Sequence, residues 1–208
     1  KRIEVITQRL KMKTAMSASE LVLEDRYEDI QLIGQGSIGV VYRAVDKILK
    51  RKVALKVIKD AYKNNKEAIE RFVHEAQSVS LFKHPGFITI YDININKQFF
   101  IVMDYVEGED LQLLMKKGAL HMKDAVQIAI NICDALSCAH QNGVVHRDIK
   151  PGNILVMKDL RIKISDFGLT QLMTPSVVGQ PGQVLGTPVY LSPEQIRGET
   201  LDYRSDIY

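Results

Sequence analysis

A glycine cluster near the start of the chain sets the strongest limit on how this sequence can fold. Gly34, Gly36 and Gly39 have the spacing GxGxxG, which lets a backbone approach a polyphosphate and present N–H donors to it. A dinucleotide-binding turn with this spacing needs a helix directly after the glycines, whereas residues 40–42 read Val-Val-Tyr and continue as a strand. The cluster therefore predicts a loop that joins two strands over a nucleotide, and a plain hairpin is the alternative.

A single lysine stands in an apolar strand pattern shortly after the glycine cluster. Residues 53–56 read Val-Ala-Leu-Lys, and a lysine among apolar neighbours costs free energy unless a partner offsets its burial. The sequence offers Glu75, on the following helical run, as that partner. The pattern predicts that Lys56 faces a cleft beside the glycine loop, and an edge-strand lysine that reaches solvent is the alternative.

The most specific pattern in the chain is His-Arg-Asp-Ile-Lys-Pro-Gly-Asn at residues 146–153. Asp148 and Asn153 lie five residues apart in a Pro-Gly loop, so both can face one point. A carboxylate there can accept the proton of an attacking hydroxyl, and an amide oxygen can ligate a hard cation. Asp166 follows a predicted β-hairpin and offers a second oxygen ligand. A lone aspartate is usually a turn or cap residue, but the ordered set favours a magnesium-dependent catalytic site.

The apolar pattern predicts a β-rich first part and a helical second part, with a hinge near Gly108 and a cleft between two lobes. Strand-like runs occupy 27–33, 40–45, 52–58, 88–95 and 99–105, with a helical run at 66–82. Beyond the hinge the helical runs are 111–116 and 122–142, and short strand-like runs follow at 154–157 and 162–164.

Composition and charge exclude several classes of protein. The formal net charge of +3 over 208 residues does not favour nucleic-acid binding, because such proteins usually carry a larger, clustered basic surface. Cys133 and Cys138 lack CxxC spacing, which disfavours a disulfide or metal site and favours a reducing compartment. We find no apolar run near the roughly 18 residues of a membrane span. A cytoplasmic segment of a longer protein is expected, with room for membrane or sensor domains outside it and the oligomeric state left open.

These motifs make the chain similar to the Hanks-type protein kinases. The resemblance implies an α+β, bilobal protein-kinase fold, with an antiparallel five-stranded N-lobe containing one helix and a mainly helical C-lobe. It divides the chain into a basic N-terminal extension at 1–26, an N-lobe at 27–103, and a hinge with a partial C-lobe at 104–208. The motif positions that match, in the family's order, are Gly34, Gly36, Gly39, Lys56, Glu75, His146, Arg147, Asp148, Lys150, Asn153, Asp166, Phe167 and Gly168.

The resemblance implies a catalytic role for the polar residues of the second motif. Asp148 orients the substrate hydroxyl and takes its proton, and Lys150 neutralises the γ-phosphate of ATP. Asn153 and Asp166 hold two Mg²⁺ or Mn²⁺ ions. These roles amount to positioning and charge neutralisation around a loose phosphoryl transition state.

The resemblance also implies how ATP is held. Lys56, braced by Glu75, contacts the α- and β-phosphates. The other nucleotide-binding positions belong to the glycine loop, the adenine pocket, the hinge and the ribose site: Gly34, Gln35, Gly36, Ser37, Gly39, Val41, Ala54, Met103, Asp104, Val106, Asp110 and Leu155.

Two features favour serine and threonine over tyrosine as the phosphate acceptor. Lys150 stands two residues after Asp148, and Thr187 lies in a Gly-Thr-Pro run, where the family's threonine bonds the catalytic Asp and Lys. Residues 191–195, Leu-Ser-Pro-Glu-Gln, resemble the bacterial branch of the family. The resemblance therefore implies protein substrates with Ser or Thr acceptors, together with autophosphorylation.

The chain departs from the family in its activation loop and at its end. Residues 179–181 read Gly-Gln-Pro where bacterial relatives carry threonines, so Thr174 or Ser176 is predicted to carry any loop phosphate, to be read by phosphopeptide mapping. Residues 202–208 match only the start of the family's central C-lobe helix, where Asp206 matches an anchoring residue. This incomplete C-lobe leaves open a non-enzymatic pseudokinase or nucleotide-binding scaffold. A small-molecule kinase is the third alternative, and the pattern of the substrate loop argues against it.

Overall fold

An antiparallel five-stranded sheet forms the first part of the structure, a computed structural model that describes residues 23, 25–36, 38–80, 83–96, 98–166 and 188–208. The strand order is β1-β2-β3-β5-β4. The fold class predicted from the sequence, a five-stranded N-lobe with one helix, is confirmed. The strands are β1 (Tyr27–Gln35), β2 (Gly39–Asp46), β3 (Arg51–Ile58), β4 (Ile90–Asn94) and β5 (Phe100–Asp104), and the helix is α1 (Lys66–Ser80).

Strand β3 is buried on both faces. Successive side chains point to opposite faces of the sheet, so odd and even positions of β3 contact different clusters. Val53, Leu55 and Val57 pack in one cluster with side chains of β1, β2 and β5. Ile58 packs in the opposite cluster, which contains Phe72 and other residues of α1. Lys56 shares the strand face of Ile58, so it lies on the side of the sheet that carries the helix.

The second part of the structure packs one long helix against a small three-stranded sheet. The buried core there joins Ile128, Ala135 and Ala139 of the helix to the strands. The sheet order is β6-β7-β8. The elements are β6 (Gly108–Asp110), α2 (Leu111–Lys117), α3 (Met122–Gln141), β7 (Ile154–Met157), β8 (Ile162–Ile164) and α4 (Pro193–Arg197), with 3₁₀ turns at Asp60–Tyr62, Pro151–Asn153, Pro188–Tyr190 and Tyr203–Asp206.

Strand β6 is an element that the sequence does not predict. Gly108 was expected to mark the hinge before a helix, but Gly108 pairs with Met157 and Asp110 pairs with Leu155 in an antiparallel ladder. Three residues are too short to show a period of two. The approach of the two strands also needs a glycine, because a Cβ at Gly108 would lie 2.4 Å from the Val156 carbonyl oxygen.

Two residues just before β1, Leu23 and Arg26, contact the five-stranded sheet through their side chains. Leu23 is 2% exposed and packs with Val53, Leu55 and Val57, in the cluster that we call the β3 cluster. The Arg26 guanidinium donates to the buried Asp46 carboxylate, with Nη2 2.9 Å from Oδ2. Among the described residues, no helix is both long enough and apolar enough to cross a membrane.

Candidate active site

The strand registers pair predicted adenine-site residues within each of the two sheets. Ala54 lies opposite Met103 across β3 and β5, and Ala54 is 4% exposed. Leu155 lies opposite Asp110 across β6 and β7, so the predicted adenine floor and the predicted ribose contact are direct neighbours. The described residues give the Val106 N–H no hydrogen-bond acceptor, while the Val106 carbonyl accepts from Gly108 N at 3.0 Å. The hinge therefore presents a backbone donor at the edge of this pocket.

The glycine cluster forms a tight hairpin between β1 and β2, as the sequence predicts. Gln35 pairs with Val40 and Gly34 with Val41, and the Gly36 N–H donates to the Gly39 carbonyl at 2.9 Å. A Cβ at Gly39 would come within 3.1 Å of the Val57 carbonyl oxygen. The third glycine therefore allows the loop to lie close to β3. Ser37 falls outside the described residues.

Lys56 forms an ion pair with Asp166, a contact that the sequence does not predict. The lysine side chain is 9% exposed, and its Nζ contacts Asp166 Oδ1. Glu75, the partner expected from the sequence, lies on α1, but its side chain is outside the described set, so the Lys56–Glu75 pair stays a prediction. The ion pair places the predicted phosphate-binding cation beside a predicted metal ligand.

Asp148 receives hydrogen bonds from the side chains of two residues of its own motif, Lys150 and Asn153. Lys150 Nζ lies 2.7 Å from Asp148 Oδ2 and 3.0 Å from Oδ1. The Asn153 amide nitrogen donates to Asp148 Oδ2 at 2.8 Å and to the Asp148 carbonyl at 2.9 Å. The carboxylate is 22% exposed, so it is both oriented by its neighbours and open to a substrate.

Ser165 connects Asn153 to Asp166 and so joins the two halves of the predicted metal site. The Ser165 N–H donates to the Asn153 carbonyl at 2.9 Å, and its Oγ donates to the same carbonyl at 3.2 Å. The Ser165 hydroxyl also lies 3.4 Å from Asp166 Oδ2. The Asn153 amide oxygen and the Asp166 carboxylate oxygens are the atom types that Mg²⁺ and Mn²⁺ prefer.

This donor set fits a metal that takes its remaining ligands from a substrate. Within the described ranges, no group of three or more His, Cys, Asp or Glu side chains could hold a metal without outside ligands. Mg²⁺ is typically held by one or two protein carboxylates together with phosphate oxygens and water. Asn153 and Asp166 match that arrangement.

Buried side chains hold the backbone that precedes Asp148. Asp206 accepts hydrogen bonds from the His146 N–H at 2.8 Å and from the Arg147 N–H at 2.6 Å. Burial lowers the pKa of His146, which favours the neutral imidazole. A neutral His146 can accept the Asp148 N–H at Nδ1, 3.2 Å away, and donate from Nε2 to the Ser165 carbonyl, 3.0 Å away.

The Asp104 side chain points to the back of the hinge and bridges the two lobes there. Its Oδ2 lies 2.9 Å from Lys163 Nζ on β8 and accepts from the Thr89 N–H at 3.1 Å, while Oδ1 accepts from the Tyr91 hydroxyl. Burial alone would raise the pKa of Asp104, but hydrogen bonds from Tyr91, Lys163 and Thr89 outweigh it and lower that pKa. Only the backbone of Asp104 remains for the adenine contact predicted from the sequence.

Several residues that build the site carry no chemical motif. Ser165 and Lys163 are ordinary strand-end residues in the sequence. Gln195 donates from Nε2 to the Arg147 carbonyl at 2.7 Å; Ser192 and Gln195 do fit the S-x-x-Q pattern of a helix capping box, which could have located the start of α4. The other predicted positions, Thr187, Phe167, Gly168, Thr174 and Ser176, lie outside the described residues.

Comparisons with known proteins agree with this geometry. A family model described as the protein kinase domain matches residues 27–208. A probable serine/threonine-protein kinase of Clostridium perfringens is 41% identical over 189 residues, which is 90% of this chain and 28% of that protein. The serine/threonine-protein kinase PrkC of Bacillus subtilis is 43% identical over 188 residues, or 89% of this chain and 29% of that protein. The chain thus spans less than a third of the length of these curated relatives.

The fold is also found among solved structures. A crystal structure of the PknI kinase domain of Mycobacterium tuberculosis superimposes with a TM-score of 0.64 and 27% sequence identity. The alignment covers 93% of this chain and 72% of that one. The likeness extends over both parts of the structure, so it supports the bilobal fold predicted from the sequence.

Proposed function

The chain belongs to the protein kinase family, and on that premise we propose that it transfers the γ-phosphate of ATP to serine and threonine hydroxyls of proteins. The observation that carries this proposal is one connected polar cluster. Asp148 is bound by Lys150 and Asn153, and Asn153 is joined through Ser165 to Asp166. General base, cationic and metal-binding groups therefore converge beside one cleft.

Asp148 receives the substrate hydroxyl in this proposal. Its carboxylate is partly exposed and is held by Lys150 and Asn153, so it can accept a hydrogen bond from an incoming hydroxyl and then its proton. Lys150 lies beside the same carboxylate and offers positive charge to the phosphate that is transferred. The two side chains thus bring the acceptor and the transferred group together.

Residues of the N-lobe, the hinge and the C-lobe together position the nucleotide in this proposal. The hairpin at Gly34–Gly39 covers the phosphates, Lys56 contacts the α- and β-phosphates, and the Val106 N–H reads the adenine. When bound, Mg²⁺ or Mn²⁺ neutralises charge on the phosphates, and Asn153 and Asp166 would hold it. Asp110 faces the ribose while its Oδ1 accepts the Leu113 N–H at 2.7 Å, which caps α2.

Transfer of labelled γ-phosphate to a protein substrate tests the role of Asp148. Asp148→Asn keeps the side-chain volume but removes the base, so the rate should fall by about 10²–10⁴-fold while ATP still binds. Asp159→Asn is a matched control, because Asp159 is exposed in the β7–β8 turn and its partner among the described residues is the nearby Arg161. Equal rates for the wild type and Asp148→Asn would refute the proposal.

Phosphoamino-acid analysis of the product tests the acceptor class. We expect phosphoserine and phosphothreonine, because Lys150 bonds the catalytic carboxylate directly and the curated relatives are named serine/threonine kinases. A product that contained only phosphotyrosine would contradict this assignment.

We further propose that the chain works in the cytoplasm. Cys133 and Cys138 are both free, and unpaired thiols are typical of reducing compartments. Fractionation of cells that express the full-length protein tests this location, and recovery of this segment on the outer cell surface would contradict it.

A further inference from the structure

The Gln195 side chain connects the helix α4 to residues 146–153, which form the catalytic loop of the proposed function. Gln195 is 8% exposed and occupies the third position of α4. Its Oε1 accepts from the Ser192 N–H at 2.9 Å, which completes the capping box. Its Nε2 donates to the Arg147 carbonyl at 2.7 Å. One amide therefore serves both the start of a helix and the peptide directly before Asp148.

The two uses of this amide need different atoms. A capping box needs only an acceptor in the third position, and glutamate supplies it as well as glutamine. The bond to the Arg147 carbonyl needs a donor, which a glutamine amide has and a carboxylate lacks. Capping alone therefore does not account for a glutamine at Gln195, whereas the bridge to the catalytic loop does.

The bridge holds a peptide in an unusual conformation. Arg147 has φ of 71°, in the left-handed region that is strained for a residue other than glycine. Its N–H is bound by Asp206 at 2.6 Å, and its carbonyl by Gln195. The following N–H, that of Asp148, is bound by His146 Nδ1. Side chains thus fix both ends of the peptide from which the Asp148 side chain projects.

These contacts close a ring of hydrogen bonds between three segments. Gln195 of α4 binds the Arg147 carbonyl, and the Arg147 N–H binds Asp206 of the last turn. Ser205, next to Asp206, donates to Glu194 Oε1 at 2.5 Å, which returns the ring to α4. A shift of α4 is therefore transmitted to the peptide that aims Asp148.

We propose that Gln195 is a positioning residue that aims Asp148 at the substrate by holding the Arg147–Asp148 peptide from α4. This inference rests on the phosphoryl transfer proposed above. It couples residues 192–197 to the Arg147–Asp148 peptide through one side chain.

The first test replaces only the donor. Gln195→Glu keeps the acceptor for the Ser192 N–H but sets an oxygen against the Arg147 carbonyl. Losing this bond and leaving the carbonyl unpaired should lower kcat about tenfold and leave the KM for ATP within about twofold. Gln195→Met, which has no donor and only a weak thioether acceptor, should show the same split together with a loss of stability. A wild-type kcat in both variants would overturn the proposal.

The pH dependence of the transfer rate distinguishes a positioning role of Gln195 from a general loss of structure. At low pH a protonated glutamate can donate its O–H to the Arg147 carbonyl, so the ratio of the Gln195→Glu rate to the wild-type rate should rise as the pH falls. Gln195→Met has no carboxyl, so its rate relative to the wild type should not recover at low pH. This variant is therefore the reference for pH effects that come from the neighbouring ionisable groups His146, Asp148, Glu194 and Asp206. A Gln195→Glu ratio that stayed flat with pH would contradict the proposed bond.

Hydrogen exchange tests the same bond without using activity. Peptides that cover residues 144–153 should exchange about tenfold faster in both Gln195 variants than in the wild type, because the Arg147–Asp148 peptide is released. Ser192→Ala weakens the cap of α4 but keeps the bridge, and it should leave these residues protected. Unchanged exchange in the Gln195 variants would overturn the proposal. If the wild type showed no phosphoryl transfer, the proposed function would be overturned. The role of Gln195 would then be decided by the hydrogen-exchange result.

Discussion

Asp206 offers the sharpest test of how the catalytic loop is held. Its side chain is 0% exposed and accepts three hydrogen bonds: from the Arg147 N–H at 2.6 Å, the His146 N–H at 2.8 Å and His140 Nε2 at 2.8 Å. The change Asp206→Asn keeps the shape of the group and replaces one acceptor oxygen by an NH₂ donor. Whichever way the amide turns, at least one N–H of the loop then faces another donor.

The expected loss in the free energy of unfolding follows from the hydrogen bonds that the Asp206 side chain accepts. Among the described residues, Oδ1 accepts from Arg147 alone, whereas Oδ2 accepts from His146 and His140, so the less damaging orientation places the NH₂ against Arg147. The lost hydrogen bond to a charged acceptor is worth about 1.5–3 kcal/mol, and each buried donor left unpaired costs about 1–3 kcal/mol. We expect Asp206→Asn to lower the free energy of unfolding by about 3–5 kcal/mol, a large part of the total for a domain.

Urea unfolding of the wild type and Asp206→Asn, followed by circular dichroism, measures this loss. His140→Ala removes only the side-chain partner and is the matched control; it should cost about 1–2 kcal/mol less than Asp206→Asn. The Asp206→Asn variant should also lose phosphoryl transfer under conditions where it remains folded, because Arg147 is released. A loss of stability below about 1 kcal/mol would refute the view that this carboxylate holds the loop.

Two further predictions concern the rest of the fold. Leu23→Ala should lower the free energy of unfolding by about 2–5 kcal/mol, because Leu23 is buried in the β3 cluster; a wild-type urea midpoint would contradict this. Asp104 has a lowered pKa because bonds from Tyr91, Lys163 and the Thr89 N–H outweigh its burial, so its contribution to stability is present above the ordinary value of about 3.9 and is lost as the pH falls below it. The stability of the wild type should therefore fall more steeply than that of Asp104→Asn below about pH 4, and parallel pH–stability curves would refute the reasoning.

Local patterns in the sequence predict much of this site because the chemistry sits on short segments. The glycine cluster predicts a hairpin because a strand pattern follows Gly39 directly, and the structure contains that hairpin. The apolar neighbours of Lys56, shortly after the glycine cluster, predict that it faces a cleft, and its side chain is 9% exposed. The spacing of Asp148 and Asn153 predicts that both face one point, and the two side chains are hydrogen-bonded.

Contacts between distant segments are what the sequence does not predict. Asp166 follows Lys56 by 110 positions in the chain, and Gln195 follows Arg147 by 48, so no periodicity or spacing connects them. Strand β6 escapes prediction because three residues show no period and its partner β7 lies far along the chain. These contacts form only when segments that are distant in the chain pack together.

The backbone conformation at the site explains why its distant partners matter. Arg147 and Asp166 both have positive φ, 71° and 61°. Arg147 directly precedes Asp148, and Asp166 is itself the second carboxylate of the proposed reaction. Neither lies in a helix or strand, so no regular backbone ladder fixes it. Instead, Asp206 and Gln195 bind the two sides of Arg147, while Asn153 and His146 bind the backbone of Ser165 beside Asp166. A strained backbone persists only where its surroundings over-determine it. Asp206 and Gln195, which are buried and far along the chain, therefore help to hold the backbone beside the carboxylates of the proposed reaction.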